Sequence, residues 1–214
     1  MNNNRSADFQ DKMARIVSVL FHPFLIPVYG LAIIFIAPTL YNYVPFEVKK
    51  LMILIILINN VLLPLSLLPF FVHHNLIKSW FMNERKDRNI PLIISTILYI
   101  VSAYIIFKFK VPFFLKSFFL AVAFLSVIAT LINFWWKISL HSIGAGAILA
   151  LVVILSIRMY TPLLWYVIPV IIAGGLILSS RLQLNLHNPG QVWSGFFAGI
   201  LGFSLIVLLS QQFT

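Results

Sequence analysis

The stretch LKSFFLAVAFLSVIATLINFW, residues 115 to 135, carries a single charged side chain, Lys116. A bilayer core about 30 Å thick needs about 20 apolar residues in a helix, so this stretch predicts a membrane span. Including it, seven such runs cover about residues 14 to 38, 51 to 72, 91 to 107, 115 to 135, 142 to 157, 162 to 180 and 192 to 210. We therefore expect an all-α, polytopic transmembrane helix bundle with six to seven membrane spans, forming one domain over residues 1 to 214.

The composition of the whole chain agrees with that prediction. Of its 214 residues, 61% are hydrophobic, 9% are charged and none is cysteine. Soluble proteins carry about 25% charged residues, so the composition excludes a cytosolic enzyme, a disulfide scaffold and a thiolate metal site. The net charge of +10 comes from basic residues in the short polar gaps between apolar runs. We therefore expect membrane lipids and their phosphates as partners, and no nucleic acid.

Carboxylates are scarce in this chain. The five are Asp8, Asp11, Glu47, Glu84 and Asp87, and none follows Asp87. Because Mg²⁺ and Ca²⁺ sites are built chiefly from carboxylates, this distribution argues against two-metal phosphatases and CDP-alcohol phosphotransferases. We expect no metal ion and no cofactor.

The alternation of spans predicts which polar segments share a membrane face. If each span crosses once, the N-terminus, residues 73 to 90, residues 136 to 141 and residues 181 to 191 lie on one face, which we call the histidine face. A cationic site is then assembled from three separate segments. Its candidate side chains are His73, His74, Arg85, Lys86, Arg88, Lys137, His141, Arg181 and His187.

The opening run has a different character from the others. Its apolar stretch is too long for a cleavable signal, so we expect residues 14 to 38 to be a membrane anchor. His22-Pro23 and Pro27 predict a kink or an interfacial turn inside it.

The first polar segment, HHNLIKSWFMNERKDRNIP over residues 73 to 91, places Lys78, Arg85 and Arg88 just before a span. One interpretation is a basic patch on anionic headgroups. The other is a phosphate clamp, because guanidinium groups match phosphoryl oxygens in a bidentate way.

The second segment, FWWKISLHSIGAGA over residues 134 to 147, contains Ser139-Leu140-His141. Ser142 is a candidate N-cap, and Gly144 and Gly146 predict close helix packing. An interfacial histidine is most often simply solvated, so His141 gains interest only from a partner site on the same face.

The third segment, residues 179 to 199, supplies that partner in the pattern S-R-x5-H-x3-Q from Ser180 to Gln191. Asn188, Pro189 and Gln191 also predict a capping box at a helix start. The two interpretations are compatible, because free backbone N–H groups at that start would face an anion bound beside His187.

Together these segments resemble the type 2 phosphatidic acid phosphatase superfamily, whose motifs are K-x6-R-P, P-S-G-H and S-R-x5-H-x3-D. The resemblance covers residues 78 to 200, and residues 1 to 72 add an N-terminal segment and two further spans. The residues that match are Lys78, Arg85, Ser139, His141, Ser180, Arg181 and His187.

The chain also departs from this family pattern. Lys86 and Ile138 stand where prolines are expected, Leu140 replaces the glycine, and Gln191 replaces the aspartate. A two-span hairpin separates the first and second motifs. At the third motif, dolichyl-diphosphatase-like members look similar, since they carry H-x3-Q-V as this chain does from His187.

The resemblance implies roles for individual residues. His187 would attack phosphorus and form a phosphohistidine, while His141 would protonate the leaving oxygen and then activate water. Gln191 would hold the tautomer of His187. Either Arg85 or Arg88, the latter in R-x2-P with Pro91, would take the arginine role of the first motif. The expected substrate-binding residues are Lys78, Arg85, Arg88, Ser139 and Arg181.

We therefore expect a metal-independent membrane phosphatase or diphosphatase acting on a polyprenyl diphosphate, a phosphatidic acid or a phosphatidylglycerophosphate. One alternative is a non-catalytic lipid-binding or lipid-transporting relative, which the departures at Leu140 and Gln191 favour. Asn59-Asn60 would give such a protein a polar path, or would merely join helices by hydrogen bonds. A lipid phosphotransferase would use the same residues.

The charge balance leaves the orientation open. The histidine face carries nine Lys and Arg residues against six on the other face, which predicts a cytoplasmic histidine face. Setting five candidate ligands aside leaves four against six and reverses the prediction. The resemblance implies a multi-pass protein of a bacterial cytoplasmic membrane, with its site on the non-cytoplasmic face.

Overall fold

The computed structural model describes residues 2–77 and 84–210, with side chains from residue 8 onward. These residues form eight helices and no strand, so the predicted all-α class is confirmed. The helices are α1 (Asn2–Leu20), α2 (Ile26–Ile36), α3 (Phe46–His73), α4 (Asn89–Phe107), α5 (Phe113–Asn133), α6 (Leu140–Arg158), α7 (Leu164–Gln183) and α8 (Pro189–Ser210).

Six of these helices, α3 to α8, are long and apolar enough to cross a membrane. The fourth of the eight helices, α4, is preceded by the 3₁₀ turn Lys86–Arg88, which belongs to the same apolar span. Many of their large apolar side chains are exposed on the outside of the bundle, among them Leu201 and Trp165. Such a surface suits hydrocarbon rather than water. The chain is therefore a multi-pass membrane protein, as the apolar runs predict.

The opening run differs from the prediction of one span. The chain leaves α1 at Leu20, turns at His22-Pro23 and enters α2, in which Pro27 occupies the first turn. A proline ring fits a first helical turn, whereas in a helix interior it has no N–H to donate and kinks or ends the helix. The predicted kink or turn is confirmed, and it separates the opening run into parts of two helices, α1 and α2.

This broken segment nevertheless follows α7 along much of its length. The Ser18 hydroxyl lies 3.5 Å from that of Ser180 near the end of α7. The Tyr166 hydroxyl donates to the carbonyl of Ile36 near its start, at 3.5 Å. Residues 18 to 36 therefore run antiparallel to α7 and carry the chain from one end of the bundle to the other.

Close packing of α6 against α8 forms the centre of the bundle. A Cβ atom on Gly199 would lie 2.0 Å from the carbonyl oxygen of Ile143, and one on Gly146 would lie 2.0 Å from that of Phe196. Only glycine allows two helix backbones to approach so closely. The predicted packing role of Gly146 is confirmed.

The two asparagines of α3 lie in a π-helical segment, Leu57–Leu62. The Asn59 side-chain amide donates to the Ser102 hydroxyl at 3.2 Å, and that hydroxyl donates to Oδ1 of Asn60 at 2.9 Å. These hydrogen bonds join α3 to α4. The interpretation that these asparagines join helices by hydrogen bonds therefore accounts for both side-chain amides.

The polar segments predicted to share the histidine face meet at one end of the bundle. Arg85 donates to the carbonyl oxygens of Asn133, at 2.8 Å, and Phe134. The backbone N–H of Ser139 donates to the carbonyl of Gln191 at 3.4 Å. The described parts of the three segments therefore adjoin one another, and the candidate site lies where they meet.

Candidate active site

His187 lies in the short turn between α7 and α8. The turn contains Asn185, whose φ of 51° is in the left-handed region that asparagine tolerates. The capping box predicted for α8 is present: the Asn188 N–H donates to Oε1 of Gln191 at 3.2 Å, and the Gln191 N–H donates to Oδ1 of Asn188 at 2.9 Å. The start of α8 therefore fixes the backbone on which His187 sits.

The hydrogen bonds of His187 determine its tautomer. Its Nδ1 lies 3.2 Å from Oε1 of Gln191 and 3.3 Å from the carbonyl oxygen of Lys137. Because the Asn188 N–H also donates to that Oε1, the atom is an acceptor, as the carbonyl is. Nδ1 must then carry the hydrogen, and the lone pair of the neutral ring lies on Nε2. Gln191 holds the tautomer in the way predicted for it.

His187 is neutral at physiological pH. Its side chain is 8% exposed, and this burial is the main cause that lowers its pKa to about 4. The positive charge of Arg88 lowers the pKa further, while the hydrogen bond to Gln191 raises it. An imidazole that stays unprotonated in this way is available as a nucleophile at pH 7.

His141 and Arg181 form a second unit of the site. Nε2 of His141 lies 3.1 Å from the carbonyl oxygen of Ser18, so Nε2 carries the hydrogen. Nη1 of Arg181 then donates to Nδ1 of the same ring, at 3.2 Å. His141 is therefore held as a neutral ring. Its Nδ1, the nitrogen left for the predicted acid and base role, accepts a hydrogen bond from Arg181.

The guanidinium of Arg181 is a buried cation whose hydrogen-bond partners are neutral. Arg181 is 5% exposed and donates to the Ser18 hydroxyl and to His141. Its Nε has no hydrogen-bond partner among the residues described. A buried guanidinium without a carboxylate partner favours the binding of an anion.

The two candidate arginines of the first segment have different surroundings. Arg85 caps the end of α5 through the carbonyls of Asn133 and Phe134, and its own carbonyl accepts from the Asn133 amide at 3.2 Å. Arg88 instead lies close enough to His187 for its charge to lower the pKa of that ring. Of the two, Arg88 is the one whose charge reaches the His187 ring. Which of them binds a substrate stays a prediction. Lys78 lies outside the described residues.

Lys137 and Ser139 contribute backbone and helix-capping contacts. Burial, followed by the charge of Arg88, lowers the pKa of Lys137.

Ser139 is fully buried, and its hydroxyl accepts from the backbone N–H and the hydroxyl of Ser142, at 3.3 and 2.8 Å. Ser139 is therefore the N-cap of α6, and the prediction that Ser142 caps this helix is wrong. Contact between Ser139 and a substrate stays a prediction.

Ser18 and His22 belong to the site although their sequence context gives no chemical signal. The ring of His22 lies edge-on to that of His141, with 5.9 Å between centroids. Burial and then the charge of Arg181 lower the pKa of His22. The only sequence signal was the His22-Pro23 pair, which predicts a turn and says nothing about which histidine the turn approaches.

A neutral imidazole whose lone pair lies on Nε2, close enough to Arg88 for the guanidinium charge to act on it, is suited to attack on a phosphoryl group. Within residues 2–77 and 84–210, no group of three or more His, Asp or Glu side chains is placed to hold a metal ion. Comparison with protein-family models, with curated proteins and with solved structures finds no match to this chain.

Proposed function

We propose that the chain is an integral-membrane phosphatase or diphosphatase that hydrolyses a phosphorylated lipid through a phosphohistidine on His187. The observation that carries this proposal is that two hydrogen-bond acceptors face Nδ1 of His187. They are Oε1 of Gln191 and the carbonyl oxygen of Lys137. They leave Nε2 as the unprotonated nitrogen of a neutral ring. The resemblance to the phosphatidic acid phosphatases is the second support.

In the first step, Nε2 of His187 forms a bond to phosphorus while the bond from phosphorus to the leaving oxygen breaks. Arg88 and Arg181 stabilise the negative charge on the phosphoryl oxygens, which is the work that a metal ion does in other phosphatases. Gln191 stabilises the imidazolium through the Nδ1–H, although as a neutral amide it contributes less than the family's aspartate would.

His141 supplies the proton in this scheme. An incoming phosphate draws Arg181 away from Nδ1 of His141, and the negative charge of the phosphate favours uptake of a proton from solvent by the nitrogen that is freed. That proton passes to the leaving oxygen. In the second step His141 takes a proton from water, the hydroxide attacks the phosphohistidine, and the bond from Nε2 to phosphorus breaks, which releases phosphate and restores His187.

The histidine end of the bundle is where the lipid headgroup enters. We place this end on the non-cytoplasmic face, as the family resemblance implies, in a bacterial cytoplasmic membrane.

Phosphate release from a panel of lipid phosphates and diphosphates, by the purified protein in detergent with excess EDTA, tests this function. We expect release from at least one lipid at the same rate with and without EDTA, because no carboxylate cluster is needed. Strict dependence on Mg²⁺ would contradict the mechanism. Binding of these lipids without any release would favour the non-catalytic alternative, and phosphate transferred to a second lipid would favour the phosphotransferase.

A further inference from the structure

An apolar cavity lies next to the candidate site, inside the bundle. Its volume is about 100 Å³, it is partly open to the outside, and α2, α4, α5, α6 and α8 all contribute to its wall. Pro23 and Leu140, the chain neighbours of His22 and His141, line the cavity. The cavity therefore begins beside the histidines, and its apolar lining suits part of a hydrocarbon chain.

Ser95 of α4 is an exception in this apolar lining. Its side chain is 3% exposed, and its hydroxyl has no hydrogen-bond partner among the residues described. Buried hydroxyls are normally hydrogen-bonded, because leaving one unpartnered costs stability. The Ser95 hydroxyl is thus an unused donor at the wall of a cavity suited to a lipid chain.

The nearby hydroxyls of Thr96, Ser126 and Thr130 do not share this property. Ser126 also lines the cavity, but its hydroxyl pairs with that of Thr96 at 2.7 Å. The Thr96 hydroxyl also pairs with that of Thr130, at 2.7 Å. These three groups satisfy one another, so Ser95 is the hydroxyl that lacks a partner within this cluster.

The position of Ser95 along α4 indicates which lipid atom it would meet. Ser95 follows Arg88 by seven residues, which is about 10 Å along a helix axis. A lipid whose phosphate is bound near Arg88 and whose chain enters the cavity would bring the atoms just beyond the headgroup to this depth. In an acylated glycerol phosphate these atoms include an ester carbonyl, whereas a polyprenyl chain offers no acceptor there.

We propose that Ser95 is a specificity-determining residue that donates a hydrogen bond to the ester carbonyl of an acylated glycerol phosphate, whose chain occupies the cavity. This inference rests on the proposed function for the position of the phosphate. It selects the glycerolipid class over the polyprenyl class. The hydroxyl then has a partner in the complex and lacks one in the free protein.

The test compares the binding of two non-hydrolysable phosphonate lipids of equal chain length, one with an acyl ester and one with the corresponding ether. We expect the wild-type protein to bind the ester about threefold to tenfold more tightly, the value of one net hydrogen bond. Ser95→Ala should bind both lipids equally, with a melting temperature no lower than that of the wild type. Ser126→Ala, the matched control, should keep the ester preference because its hydroxyl already has a partner.

Equal binding of the two lipids by the wild type would overturn the inference, and so would an ester preference that persists in Ser95→Ala. Because the phosphonates are not turned over, the result is independent of catalysis. An ester preference in a protein that releases phosphate from no lipid would keep the role of Ser95 and reject the phosphatase. Phosphate release without an ester preference would keep the phosphatase and reject the role of Ser95.

Discussion

His187→Ala will release phosphate at least about 10³-fold more slowly than the wild type from every lipid that the wild type hydrolyses. The variant loses the nitrogen that forms the bond to phosphorus, and no other described ring has the same arrangement. In His141, Nε2 donates to the Ser18 carbonyl and Nδ1 accepts from Arg181. Because the variant lacks the nucleophile, the loss of rate should appear in kcat. The measurement is steady-state phosphate release in detergent.

The fold should survive this change. The capping box between Asn188 and Gln191 does not use the His187 ring, so α8 should start at the same residue. His74→Ala is the matched control, since His74 is an exposed histidine next to the end of α3. It should keep wild-type rates. Wild-type rates in His187→Ala would show that His187 is not the nucleophile and would favour the non-catalytic alternative.

Arg88→Ala and Arg85→Ala should affect different properties of the protein. Removing one group that stabilises transition-state charge typically lowers kcat by about 10²-fold to 10³-fold, and we expect this loss for Arg88→Ala. Arg85 donates to the carbonyls at the end of α5, so Arg85→Ala should lower stability by about 2 kcal/mol and leave the rate per folded molecule within a few-fold.

The two arginine variants are compared by phosphate release, normalised to the folded fraction from a thermal melt. A large loss of kcat in Arg85→Ala with an unchanged rate in Arg88→Ala would reverse the assignment. It would mean that the bound substrate draws Arg85 away from the Asn133 and Phe134 carbonyls.

Most of the fold follows from local properties of the sequence. Six apolar runs long enough to span a bilayer became six long helices, because a backbone in hydrocarbon must satisfy its hydrogen bonds within the helix. Residues 14 to 38 differ from the other runs. There a turn at His22-Pro23 separates α1 from α2, and the prolines predict this break, although hydropathy alone carries no information about it.

The candidate site was predictable only where its contacts are local. The links from His187 to Gln191 and from Asn188 to Gln191 span three or four residues, and the sequence pattern contains both. The contact between Arg181 and Ser18 spans 163 residues and joins α7 to α1. No spacing rule reports such a contact, because it depends on how whole helices pack.

Arg85 and Arg88 show the same limit at a shorter range. They lie one helical turn apart before α4, and both fit part of the family pattern. The packing of α4 against α5 gives them different surroundings, since it brings Arg85 to the end of α5 while the charge of Arg88 reaches His187. Charge and spacing alone could not separate a helix-capping arginine from one whose charge reaches the histidine.

In the proposed mechanism the phosphoryl group passes through a covalent bond to His187. Rapid alkaline quenching of the protein during turnover, followed by peptide mass spectrometry, measures this directly, because phosphohistidine survives alkali. We expect a phosphoryl group on the peptide that contains His187, formed in the presence of EDTA. Phosphate release with no phosphoryl group on that peptide, or with the group on a different residue, would contradict it.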